Sequence, residues 1–168
     1  MWVLQNRFIA FAARDTVLVI LALVVWLLAP RLTVSGPVLG WIAGLAVALA
    51  VYVAHEWGHA LAALSAGGRI HPPRTLLHVS LFSFDTQRNS VRQFAWMSLG
   101  GFAVTAIAVL VAQTWLHTDE LSHRVARGGI LTLAGITLFI EVPLLMFGLA
   151  TKQIPSVVAV FRYESSGH

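Results

Sequence analysis

VLGWIAGLAVALAVYVAHEWGHALAALSA, residues 38–66, decides the fold class. From Val38 to Ala54 the run is unbroken by any charged residue, and it resumes as apolar after His55-Glu56-Trp57-Gly58-His59. A helix needs about 20 predominantly apolar residues to cross the hydrocarbon core of a bilayer, so this stretch is long enough to span. On such a helix His55 and His59 project from one face, one turn apart, and Glu56 lies one step round. Each ionisable group in a spanning segment costs roughly 2.5–3.5 kcal/mol even on a lenient insertion scale. Three of them together call for a chemical reason.

Working outward, three further apolar segments appear, at 16–29, 94–115 and 129–150. The chain of 168 residues is 58% hydrophobic and 11% charged, with mean hydropathy +0.80, which places it with integral membrane proteins. The expected fold is therefore all-α, with about four transmembrane helices and a short β-strand or hairpin loop between the second and third. The opening residues, with Trp2, Phe8 and Phe11 among Arg7 and Arg14, predict an interfacial helix leading into a short first span. No small-x-small cleavage site follows that span, so a retained signal-anchor is expected. Residues 1–37 then hold this helix and span, 38–150 the membrane core, and 151–168 a polar tail.

The eleven Lys and Arg residues form no basic stripe, which argues against a nucleic-acid partner. Their distribution is topological. Arg7, Arg14, Arg69, Arg74, Arg88, Arg92, Lys152 and Arg162 fall on one side of a four-span chain, and Arg31, Arg124 and Arg127 on the other. That asymmetry predicts both termini in the cytoplasm and places the histidine pair in the cytoplasmic half of its helix.

Between the second and third spans, Gly67-Gly68 ends the helix and Pro72-Pro73 forbids its continuation. His78-Val79-Ser80-Leu81-Phe82-Ser83-Phe84 alternates loosely and predicts a strand or hairpin at the membrane surface. Its edge could pair with an extended peptide, or the segment could be a surface loop without such a role.

The pentapeptide has the spacing of a metallohydrolase site. Two neutral imidazoles at i and i+4 hold zinc, and the adjacent carboxylate is the general base. Cysteine is absent, so any metal is held by His, Asp or Glu. The bland alternative is a buried polar cluster that only packs helices. His71 could fold back as a further ligand, although its spacing matches no zinc pattern. His78, His117 and His123 are expected at loops or interfaces, Asp85 in a turn, and Ser98, Gly100, Gly101 and Ala103 as a small-residue packing stripe.

In His55-Glu-Trp-Gly-His-Ala-Leu-Ala-Ala-Leu-Ser-Ala-Gly67, in Val79-Ser-Leu-Phe82 and in Arg92-Gln-Phe-Ala-Trp-Met-Ser-Leu-Gly-Gly101, the chain resembles the site-2 protease family of intramembrane zinc metalloproteases. The resemblance covers about Val38 to Ala150. It implies a zinc endopeptidase acting on transmembrane protein or peptide substrates in the lipid bilayer, in a bacterial-type plasma membrane. Two positions depart from the family pattern. Gly100 is followed by Gly101 where the family has Gly-Pro, with Val104 and Thr105 in the region of its Asn. Aligned on Pro143, the family's ligand Asp falls on Gly148 and its Asn on Ile140.

Glu141, the sole acidic residue of the last apolar segment, is the substitute ligand. Pro143 would disturb that helix and free backbone to reposition it. Otherwise Glu141 is a protonated carboxyl bonded to a neighbouring helix, or a carboxylate lining a water cavity. The expected set is thus His55, His59 and Glu141 on zinc with Glu56 as base. The rival is an inactive relative of such proteases that binds or regulates membrane partners. A metal-binding membrane protein without hydrolysis is a third reading, which retention of Glu56 weighs against.

Overall fold

The computed structural model describes residues 2–29, 36–73, 75–78, 80–117 and 119–159. Val79, Arg31, Arg74, Arg162 and His168 lie outside them. The order is α1 (Trp2–Leu28), α2 (Gly36–Ser65), β1 (Ile70–His71), β2 (Ser83–Phe84), α3 (Val91–Trp115), α4 (Leu121–Ile136), a π-helical turn (Thr137–Glu141), α5 (Val142–Thr151) and a 3₁₀ turn (Ser156–Ala159).

Four helical stretches are long and apolar enough to cross a membrane: Arg7–Leu28, Pro37–Ser65, Val91–Trp115 and Leu121–Thr151, the last running through α4, the π turn and α5. Their outer faces leave Leu27, Val38, Ile107, Leu110 and Phe139 exposed. Water does not tolerate such a surface over the whole girth of a bundle, and lipid does. Trp41, Trp96 and Trp115, also exposed, sit toward helix ends, where indoles favour the membrane interface.

The ends alternate. Arg7 and Arg14, in the N-terminal half of α1, donate to the carbonyls of Pro73, Leu76 and His78 in the loop after α2. At the opposite end Trp26 stacks on His123 at 4.9 Å, and Arg127 of α4 bonds Gln113 of α3.

Two elements differ from expectation. α1 is one continuous helix, without a separate interfacial helix before a short span. Asp15, the acidic residue just before the expected span, pairs with Arg14 at 2.7 Å inside the helix. Both charges are satisfied within the bundle, Asp15 also by the Trp57 indole and Arg14 by carbonyls of the loop after α2. The fourth span begins at Leu121 instead of Gly129, so Arg124 and Arg127 belong to its first turns.

The predicted hairpin is present but minimal. β1 and β2 pair antiparallel, Ile70 with Phe84 and His71 with Ser83, so among the described residues of the expected strand the last two are β. Asn89 fixes the hairpin base, accepting from Arg69 N at 2.7 Å and donating to Arg69 O at 2.7 Å. At the end of α2, Gly68 N–H bonds Ala63 O at 2.8 Å and Gly67 N–H bonds Leu64 O at 2.9 Å, a Schellman closure with Gly67 at φ 71°. Leu81, Phe84, Phe94, Met97 and Leu145 form the core under the hairpin.

Candidate metal centre

The α2–α3 contact builds the centre. A Cβ on Gly58 would lie 2.7 Å from the Gly100 carbonyl oxygen, and one on Gly100 would overlap the Gly58 carbonyl, so the backbones touch where both lack side chains. One residue on, a Cβ on Gly101 would clash with the His59 ring.

This approach puts α3 acceptors on the imidazoles. His59 Nδ1 is 2.8 Å from the Met97 carbonyl oxygen. A carbonyl can only accept, so Nδ1 carries the proton and Nε2 of the neutral ring is a bare lone pair. His55 Nδ1 faces the Gly101 carbonyl at 3.1 Å and the Thr105 hydroxyl at 2.7 Å. Both rings are buried, His55 at 1% exposure and His59 at 9%.

The two Nε2 atoms stand 2.9 Å apart. Glu141 Oε1 lies 3.3 Å from His55 Nε2, and Oε2 lies 3.8 Å from His59 Nε2. Ligand atoms of His55, His59 and Glu141 all fall within 4.8 Å of one another, and among the described residues this is the one such group of three or more. Glu141 Oε2 is buried with no hydrogen-bond partner. When both Nδ1 protons go to α3, two lone pairs and a carboxylate converge without a proton among them. That set could hold a cation, or share a proton along the His55–His59 and His55–Glu141 contacts.

Glu141 reaches the pair through the π turn. The Val142 N–H bonds Thr137 O, five residues back, in place of the usual four. Pro143, without an N–H, follows at once. The extra residue turns Glu141 by about 100° relative to an uninterrupted helix. A Cβ on Gly148, where the family pattern would put an Asp, would lie 3.0 Å from the Phe94 ring and 3.3 Å from the Gln153 carbonyl oxygen. A carboxylate there would meet an aromatic ring.

Glu56 is half-buried, and its Oε2 accepts from Leu81 N–H at 3.3 Å, which brings the loop before β2 onto the motif. His71 is outside the trio and pairs with Asp85 at 3.6 Å. Asp85 is the expected turn residue, accepting from Gln87 N at 3.2 Å and Arg88 N at 3.1 Å. His117 and His123 meet at the opposite end of the bundle, where His117 N–H bonds His123 Nδ1 at 3.1 Å. In the small-residue stripe Ser98 and Gly101 are buried, whereas Ala103 is exposed.

Two participants escaped the sequence reading. Thr105 is buried at 4% exposure and completes a Ser98, Gly101, Thr105 face at i, i+3 and i+7, a signal that was legible. Asp15, also 4% exposed, accepts from the Trp57 indole N–H at 2.8 Å, tying α1 to the motif; no local pattern announces that pairing. Comparison with protein-family models, curated proteins and solved structures gives no match, so the centre rests on its own geometry.

Proposed function

We propose that the chain is an intramembrane zinc endopeptidase of the site-2 protease kind. The observation that carries this is the convergence of His55 Nε2, His59 Nε2 and an unpartnered Glu141 oxygen beside Glu56. Two imidazoles and a carboxylate, with thiolates absent, are the donor set of a catalytic zinc site that keeps a position open.

Bound there, zinc supplies Lewis acidity and brings the pKa of a water to about 7. Glu56 takes the proton of the attacking water and returns it to the departing amine nitrogen. Met97 O, Gly101 O and Thr105 hold the two rings in the required orientation. A transmembrane substrate hides its carbonyls in intrahelical bonds and must unwind before attack. The segment from Ser80 to Phe84, which begins beside Glu56, is where the extended peptide is held. The basic residues orient the chain with both termini in the cytoplasm of a bacterial-type plasma membrane, so water reaches the site from that side.

A second reading, an inactive protease-like protein that binds membrane partners, draws on one observation: Thr105, in the region of the family's Asn, is turned to His55. Zinc stoichiometry and cleavage of a transmembrane peptide, measured on the purified parent and on Glu56→Gln, separate the two. The protease reading expects one zinc per chain in both proteins and cleavage by the parent alone. A parent that binds no zinc, or cleavage that survives Glu56→Gln, overturns it.

A further inference from the structure

Midway along α1 one guanidinium, that of Arg14, is shared between Asp15 and the loop after α2, both of which touch the motif. Arg14 Nε and Nη2 each lie 2.7 Å from Asp15 Oδ1. The other oxygen of Asp15 accepts from Trp57, the residue directly after Glu56. Arg14 Nη1 donates to Leu76 O at 2.5 Å and to His78 O at 3.0 Å. Three residues beyond His78, Leu81, itself 1% exposed, donates its N–H to Glu56 Oε2. Glu56 is therefore held from two directions, along α2 through Trp57 and across the loop through Leu81, and both paths meet at the Arg14–Asp15 pair. None of these contacts involves His55, His59 or Glu141.

We infer that Arg14 is a positioning residue for Glu56, acting through Asp15–Trp57 and through the loop at 76–81. The inference rests on the protease reading for its effect on rate, but its structural half stands independently. A general base must sit within hydrogen-bond reach of the proton it takes, and a misplacement of about 1 Å can cost about 10²-fold in rate. α1 then acts as a brace for the base, separate from the scaffold of the metal ligands.

The test uses the full chain in detergent or nanodiscs, with kcat, KM, zinc content and hydrogen exchange at the Leu81 amide measured together. Arg14→Ala is expected to lower kcat by about 10- to 100-fold, leave KM and zinc content unchanged, and speed exchange at Leu81. Arg14→Lys, which keeps the charge against Asp15, recovers part of the rate. Asp15→Asn keeps an acceptor for Trp57 and removes the ion pair, so it carries the same expectation if Arg14→Ala does not fold. Loss of zinc in step with kcat, or an unchanged kcat, overturns the inference. If the parent itself does not cleave, the protease reading fails, and Leu81 exchange alone decides the brace: no change in Arg14→Ala refutes it.

Discussion

His55 and His59 each spend one ring nitrogen on α3 and turn the other toward Glu141, so α3 orients both imidazoles of the trio. This oriented set makes separate predictions for ligand, base and support. Glu141→Ala removes the carboxylate and is expected to abolish stoichiometric zinc binding at micromolar metal, read by metal analysis after gel filtration; full occupancy would take Glu141 out of the set. Glu56→Gln keeps the acceptor for Leu81 N–H, so zinc content should match the parent while cleavage falls by at least about 10²-fold, the usual scale for a lost general base. Thr105→Val deletes the hydroxyl beside His55 Nδ1, and partners of metal-bound histidines typically contribute about 10- to 100-fold in affinity. Competition with a zinc-chelating dye should show that loss, with Thr105→Ser close to the parent. At this scale the sequence was most legible. Spacing alone put His55, Glu56 and His59 on one turn, because helical geometry converts i, i+1 and i+4 directly into proximity. Thr105 went unassigned because its role depends on which face of α3 meets α2, and that is set by Gly58 and Gly100.

The π turn accounts for what residue counting could not see at the level of elements. Hydrophobic periodicity averages over several turns, so one inserted residue leaves it almost unchanged. A straight helix counted from Pro143 points to position 148, whereas the structure brings Glu141 to the histidines and packs Gly148 on Phe94. Pro143 was the visible clue, since a missing N–H must be accommodated somewhere in the preceding turn. Pro143→Ala restores that donor and lets the π turn relax to α-helix, rotating Glu141 away from the pair. Zinc occupancy should drop several-fold while far-ultraviolet circular dichroism stays at the parent's helical signal; undiminished occupancy would mean the turn persists without the proline. In α1, Asp15 resembles a helix boundary when counted as a lone charge, yet bonded to Arg14 it sits inside a continuous helix. The hairpin shrank to two residue pairs because much of the expected strand turns toward α1 and Glu56 instead of a partner strand.

For the whole molecule, the apolar exterior and the alternating ends define a four-span bundle with the loop of residues 66–90 at the same end as the N-terminal part of α1. That arrangement was legible from composition and segment length, since a lipid-facing surface must be apolar all round, and a period-independent signal survives errors in helix boundaries. Which end faces the cytoplasm is a proposal resting on charge distribution alone, and it is open to direct measurement. The chain has no cysteine, so a single introduced thiol reports its own accessibility without background. Gln87 is exposed in the loop near the metal-centre end, and Asp119 is exposed at the opposite end, between α3 and α4. With both termini inside, Asp119→Cys should react with a membrane-impermeant maleimide in intact cells, and Gln87→Cys only after the membrane is opened. The reverse pattern would invert the protein and put Glu56 within reach of extracytoplasmic water. Labelling of both sites from one side would require the loops to share a surface, which four alternating spans forbid.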